Sequence, residues 1–232
     1  MALNLLMLGP PGAGKGTQAE RFARTRGIPK ISTGDILRTA IHEGTDIGRR
    51  ARAIMDRGEL VSDEVMIGIV RERLERSDTA EGFVLDGFPR TVAQAAALDT
   101  IMTGRDPLIV LDIVVPEAEL VRRLGTRMIC EHCGANAPIG DGTSACKRCG
   151  GRLVQRADDN QAVVLERLKV YHGQSEPLVE YYRVRPTFRS IDGAQPAEKV
   201  AADLAAAIEA AGAGAVALAK AIDRIARPGV QP

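Results

Sequence analysis

A chain of 232 residues, 45% hydrophobic and 26% charged, is long enough to bury one α/β core with small insertions, and too apolar to stay disordered. Its formal net charge of +1 excludes a global basic field for nucleic acid or membrane. With no Trp and only 3% aromatic residues it lacks the stacking surface that single-stranded nucleic acid requires. No apolar run approaches the roughly 18 residues of a membrane span. Leu3 to Leu8 is apolar but short, follows no basic segment and runs straight into glycines. A signal peptide is therefore not expected, and a cytoplasmic setting is. Of the 31 basic residues 25 are Arg. Codon usage in a GC-rich genome accounts for such an excess as readily as phosphate recognition does, so position must decide which arginines act.

Along the chain, Leu3–Leu8 reads as a buried parallel strand ended by Gly9 and two prolines. A helix over 16–26 follows, closed by Gly27. A short strand at 30–32 leads into helical pattern over 34–42, and a second helix covers about 47–57. A third begins after Ser62, an expected N-cap, and carries apolar Val65, Ile69 and Val70. A buried strand at 83–85 ends in Asp86, and residues 91–102 are helical. The clearest strand is 108–115, with Pro116 suited to the first turn of the next helix. Residues 125–157 break the rhythm, holding all four cysteines and many glycines. Helical pattern returns at 158–171 and 176–183, a last strand spans 188–191, and a helix follows Pro196.

Strands alternating with helices predict a doubly wound parallel sheet that binds ligands at its strand C-termini. The expected division is a core of 1–32, 67–124 and 158–212, inserts at 33–66 and 125–157, and an Ala/Gly-rich helical tail at 213–232.

Gly9-Pro10-Pro11-Gly12-Ala13-Gly14-Lys15-Gly16-Thr17 follows the first strand and opens the first helix, the context that a phosphate-binding loop requires. The glycines let backbone N–H groups converge on phosphate oxygens, the helix N-terminus adds positive potential, and Lys15 reaches the terminal phosphates. A dinucleotide-binding loop is the rival reading, with Asp35 placed as a ribose-binding acid. Its third glycine position is Thr17, however, and the lysine has no task there.

Gly16 after the lysine, with the hydroxyl one place later at Thr17, resembles the GxPGxGKGT loop of the nucleoside monophosphate kinases. Ser32-Thr33-Gly34-Asp35 with Arg38, and Asp86-Gly87-Phe88-Pro89-Arg90-Thr91 with Gln94, are similar to the acceptor motifs of the adenylate kinase branch. The resemblance covers roughly residues 1–212. It implies reversible phosphoryl transfer from Mg-ATP to AMP, giving two ADP, on a P-loop sheet whose inserts are an AMP-binding helical segment and a lid. It implies that Gly12, Ala13, Gly14, Lys15, Gly16, Thr17, Arg123, Arg127 and Gln195 bind ATP. Thr33, Arg38, Val61, Gly87, Arg90, Gln94, Arg156 and Arg167 would bind AMP, with Gln94 reading the adenine edge. Lys15, Arg90, Arg127, Arg156 and Arg167 would be catalytic, and Asp86 would orient Mg²⁺ with help from Asp35. Asp158 and Asp159 would help hold the closed state. A departure is that Thr126 and Met128 flank Arg127, where the family commonly has Gly and a second Arg. A monomer is expected. Elementary chemistry agrees: phosphoryl transfer needs positioning and charge neutralisation, and two guanidinium forks cancel the acceptor phosphate's repulsion.

Cys130-x-x-Cys133 and Cys146-x-x-Cys149, each followed by Gly, have the spacing of two zinc knuckles. Disulfides and an iron–sulfur cluster are the alternatives, the first disfavoured in a reducing compartment. Four protein ligands leave no open position, so the expected Zn²⁺ is structural. The insert matches the long lid of bacterial adenylate kinases, some of which carry four zinc cysteines. Its middle is about four residues shorter than the family pattern and lacks the usual aromatic and histidine. A nucleic-acid-gripping zinc ribbon is the other reading, but Glu131 and Asp141 mix with Lys147, Arg148 and Arg152, and no nucleic-acid partner is expected.

Overall fold

The computed structural model describes residues 2–137 and 145–226, with Ala157 and residues 213–226 as backbone alone. Seven strands are seen among them: β1 (Leu3–Leu8), β2 (Lys30–Ser32), β3 (Gly82–Asp86), β4 (Leu108–Val114), β5 (Met128–Cys130), β6 (Leu153–Gln155) and β7 (Phe188–Asp192). The α-helices are α1 (Lys15–Arg26), α2 (Thr33–His42), α3 (Asp46–Asp56), α4 (Asp63–Leu74), α5 (Val92–Ile101), α6 (Glu117–Gly125), α7 (Gln161–Val170), α8 (Pro177–Arg183) and α9 (Ala197–Ala226).

Five strands make a parallel sheet in the order β2-β3-β1-β4-β7. Side chains alternate between its faces, so Leu5 and Met7 of β1 join one core and Leu6 and Leu8 the other. The first core takes Phe22 from α1, Leu124 from α6, Leu168 from α7 and Leu204 from α9. The second takes Leu37 from α2, Val70 from α4, Leu98 from α5 and Tyr182 from α8. Both faces are thus covered, which explains why these strands read as unbroken apolar runs. In the register Met7 pairs with Asp86 and Asp86 with Ser32, so the loops after β1, β2 and β3 leave the same end of the sheet.

Helix starts mostly follow the local rules. Thr45, Thr91 and Asn160 accept from backbone N–H groups three residues on, and Ser32 accepts from Asp35 N. Ser62 occupies the expected N-cap position of α4, but its side chain makes no cap bond. Asp63 and Glu64 in the first turn supply the negative charge that suits a helix N-terminus. The helical pattern at 158–171 and 176–183 is joined by a π-helical turn over Tyr171–Ser175.

Within the expected insert, residues 128–137 and 145–155 form a small separate β element. β5 pairs antiparallel with β6, and bridges at Ile129–Asn136 and Ala145–Arg152 close a ribbon on each side. The sequence reading placed no strands here, because three-residue strands carry no hydrophobic period. The expected insert boundary at 66 falls inside α4. The expected tail begins within the continuous helix α9, and its last residues, 227–232, lie outside the described residues.

The central strand should dominate stability. Leu6→Ala, at a side chain 0% exposed, should lose about 3 kcal/mol in chemical denaturation, whereas Leu165→Ala, at one 51% exposed, should stay within about 0.5 kcal/mol.

Candidate active site

The loop after β1 turns through Gly12 and Gly14, both with positive φ, and delivers the chain to the N-terminus of α1. No acidic residue occupies the first turn of that helix, so its positive end is left for an anion. Lys15 Nζ donates to Gly9 O at 2.7 Å and Pro10 O at 2.8 Å, folding back over the loop. A Cβ at Gly16 would lie 3.2 Å from Asp86 Oδ2, which gives a physical reason for a glycine directly after the lysine. Burial pushes the Lys15 ammonium down to about 8, with Asp86 opposing and Arg90, Arg167 and Arg127 adding to the fall.

A cleft of about 860 Å³ opens over this loop. It is lined by Gly12, Ala13, Gly14, Lys15, Gly16 and Thr17, by Asp35, Arg38, Asp86, Gly87 and Arg90, and by Arg123, Arg127, Arg156, Arg167 and Gln195. A recess of about 60 Å³ adjoins it, lined by Thr33, Val61 and Gln94 and sharing Arg38, Gly87, Arg90 and Arg167 with the cleft. Every predicted nucleotide-site residue therefore borders one of two adjoining spaces.

The loop after β3 builds the wall between them. Gly87 has φ +80°, and a Cβ there would come 3.0 Å from Arg90 Nη2 and 3.2 Å from Thr33 Oγ1. Its carbonyl accepts from Arg90 Nε and Thr33 Oγ1, each at 2.8 Å. The Phe88–Pro89 peptide is cis. Ser175, in the π-helical turn, donates to Arg90 O at 2.9 Å.

The cations are held from behind by carboxylates. Arg127 forks onto Asp159, Nε to Oδ2 at 2.7 Å and Nη2 to Oδ1 at 2.5 Å. Arg167 Nη1 donates to the same Asp159 Oδ1 at 3.1 Å, and to Asp158 O at 3.1 Å and Oδ2 at 3.2 Å. Arg38 pairs with Asp35, whose other oxygen lies 3.2 Å from Lys30 Nζ. Burial would raise the Asp35 carboxyl, but Arg38 and Lys30 outweigh it and hold it down to about 2. Asp35 was expected to help orient Mg²⁺; here its carboxylate anchors two cations.

Among the described residues no ion pair anchors Arg156, and its Nε is buried without a partner. Burial, then repulsion from Arg38 and Arg127, brings it down to about 10. Burial and the neighbouring Arg167 do the same to Arg90. At the far end of the cleft, Arg123 is fixed by Glu119 Oε1 at 2.7 Å and Gly193 O at 2.9 Å, and Gln195 by Asp192 O and Asp203, both at 3.0 Å.

The four cysteines converge. Their Sγ atoms all lie within 4.8 Å of one another, with Cys130–Cys149 at 3.4 Å and Cys133–Cys146 at 3.6 Å. Cys133 N and Arg148 N each approach a cysteine Sγ at 3.4 Å, the turn geometry of a metal knuckle. None of the four is in a disulfide. The set of soft donors, its convergence and its backbone N–H···S contacts fit a tetrahedral Zn²⁺.

The structure adds residues that sequence reasoning passed over. Lys30, Tyr171, Ser175 and, from the cysteine-bearing element, Asn136 and Ala137 line the cleft. Asp63 accepts from Thr91 Oγ1 and Gln94 Nε2 beneath the recess. None sits in a recognisable motif; only tertiary proximity identifies them.

Residues 7–187 match the family model described as adenylate kinase. The chain is 49% identical over 214 residues to the adenylate kinase of Archaeoglobus fulgidus, covering 89% of this chain and 98% of that protein. It is 52% identical over 210 residues to that of a Geobacillus species, covering 87% and 96%. With the adenylate kinase of Geobacter sp. strain M21 it shares 48% identity over 214 residues, 90% of this chain and all of the relative. With the phosphate loop, arginine cluster and adjoining recess in place, the chain belongs to the adenylate kinase family.

Proposed function

We propose that the cleft carries out reversible in-line phosphoryl transfer between Mg-ATP and AMP, giving two ADP, with the donor on the phosphate loop and the acceptor base in the recess. One observation carries this reading: Lys15, Arg38, Arg90, Arg127, Arg156 and Arg167 all border one cleft, two more positive charges than Asp35, Asp86, Asp158 and Asp159 offset. Such crowding of cations is stable in company with a chain of phosphates.

Each group then has a task. Backbone N–H groups of 12–17 and Lys15 hold the donor phosphates. Arg38 and Arg90 clamp the acceptor phosphate beside the recess, while Arg127, Arg156 and Arg167 surround the group in transit. The acceptor phosphate needs no general base, since its second pKa lies near about 6. A magnesium ion bound with the triphosphate would sit at Asp86 and Thr17 and neutralise phosphate charge there. Arg123 and Gln195 border the end of the cleft left for the donor base. Residues 33–66 serve as the acceptor segment and 125–157 as a lid, excluding water by a closure of the kind adenylate kinases exemplify. One chain supplies every group of the site, so we read the active unit as a monomer. No described helix is long and apolar enough to cross a membrane.

Purified protein with Mg-ATP should phosphorylate AMP far faster than CMP or UMP in a coupled assay. Arg90→Ala should lower kcat/KM by about 10³-fold or more. Comparable turnover of UMP, or a nearly intact Arg90 variant, would overturn the acceptor assignment.

The lowered Lys15 gives a proton signature. In the free protein its charged form declines as pH rises through about 8, well below the ordinary 10.5. A bound triphosphate favours the ammonium and draws the proton back, so ATP binding near about pH 8.5 should take up a fraction of a proton. Calorimetry in two buffers of different ionisation enthalpy reads this uptake. It should be absent in Lys15→Arg, which stays charged throughout.

The cysteine cage should hold one Zn²⁺ per chain that supports the lid's fold rather than the chemistry. Elemental mass spectrometry should find it, and chelation should add a low-temperature melting step while the main sheet melts higher. Metal-free protein from a reducing preparation would sink the assignment.

A further inference from the structure

Asp63 is a carboxylate that lines neither the cleft nor the recess but is bonded to Gln94, which lines the recess. It opens α4, with Oδ2 accepting from Thr91 Oγ1 at 2.9 Å and Oδ1 accepting from Gln94 Nε2 at 2.7 Å. At the other end of the same amide, Gln94 Oε1 accepts the Arg90 backbone N–H at 2.8 Å. Gln94 is 1% exposed and lines the recess.

A carboxylate only accepts, and a backbone N–H only donates. Between them the amide has a single orientation. Turning it over would set its NH₂ against the Arg90 N–H and its carbonyl oxygen against the Asp63 carboxylate. Both clashes would be buried, where an unpaired polar group is most costly. In the orientation observed, each end of the amide spends half its capacity on the protein. One lone pair remains on the Arg90 side and one N–H on the Asp63 side.

We propose that Asp63 sets acceptor-base specificity by locking Gln94 in this order, so that the recess admits a 6-aminopurine and rejects a 6-oxopurine. The inference rests on the recess being the acceptor-base site. A 6-aminopurine presents an amino donor next to an N1 acceptor, which complements an acceptor–donor pair on the protein. A 6-oxopurine presents the reverse, a carbonyl acceptor next to an N1–H donor. It meets like polarity at both atoms unless the amide turns over, and Asp63 opposes that turn. Asp63 itself touches no substrate; it is a positioning residue acting through Gln94. Sites built around buried hydrogen-bonding groups discriminate strongly because the wrong ligand leaves those groups unpaired.

The test compares kcat/KM for AMP and inosine monophosphate, which differ at this edge, in the full-length protein with saturating Mg-ATP. In Asp63→Asn the new amide can present its own NH₂ to a turned Gln94, removing one of the two clashes. The AMP-to-inosine-monophosphate ratio should fall about ten- to a hundredfold in that variant, and also in Asp63→Ala, while KM for ATP holds. The alanine variant serves if the asparagine one folds poorly. A purely structural Asp63 would lower both acceptors together and leave the ratio unchanged, which overturns the lock while leaving the acceptor site standing. Wild-type protein that uses both nucleotides equally also overturns it. Wild-type protein inactive on AMP overturns the acceptor site and the lock together.

Discussion

Mutual repulsion among like charges is the constraint on which this structure turns. Lys15, Arg38, Arg90, Arg127, Arg156 and Arg167 come from the phosphate loop, α2, the loop after β3, the chain between α6 and β5, the chain before α7, and α7 itself. Each would be better solvated apart, and burial first, with their mutual repulsion added, lowers Lys15, Arg90 and Arg156. The scaffold answers with carboxylates placed behind the guanidinium groups. Asp159, its side chain fully buried, takes both Arg127 and Arg167, and Asp35 takes Arg38. A guanidinium has five N–H donors, so an anchor that uses one or two leaves the others for phosphate. Arg156, with Nε buried and unpartnered, is the member that most depends on a ligand for its satisfaction.

The same anchors tie the cysteine-bearing element to the cleft. Arg127 lies where the chain enters that element, and Gln155 closes β6 where it leaves. Gln155 Nε2 approaches both Gly125 O at 3.3 Å and Asp159 O at 3.4 Å. Both roots of the element therefore meet beside the carboxylate that holds Arg127 and Arg167, two arginines that border the cleft.

What could be read from sequence was what local pattern dictates. An apolar run buried on both faces announces β1, β3 and β4, and glycines around a lysine after such a run announce the phosphate loop. Arg90 and Gln94 were reached through the resemblance of the Asp86-to-Gln94 stretch to the family's acceptor motif, not through any local geometric rule. Arg156 likewise comes from the resemblance, and it borders the cleft, whereas Arg152 bridges Ala145 in the ribbon. The ion pairs of Asp35 with Lys30 and Arg38 are invisible in one dimension. Asp63 and Ser175 act on partners 31 and 85 residues away. The π-helical turn and the three-residue strands β5 and β6 carry no hydrophobic period, so no sequence rule reports them.

That the proposed lid should be ordered by cysteines rather than by an apolar core follows from what such a lid would have to do. Transfer requires the reacting groups to stay fixed within a fraction of an ångström, and the phosphate loop and Asp86 achieve this at the ends of strands buried on both faces. Water exclusion requires the opposite property, a part that docks and releases in every cycle. A lid with its own hydrophobic core would need more chain, and any apolar face it left exposed would adhere to the sheet domain and slow release. A metal cage of the kind proposed for Cys130, Cys133, Cys146 and Cys149 gives internal order without such a face, because its free energy is spent inside the knuckles. Docking can then rest on weak polar contacts such as Arg148 to Glu20, an exposed pair at 3.5 Å that contributes little on its own. In the proposed reading the strong term in closure is left to the phosphates, so such a lid would be stable shut when there is something to transfer.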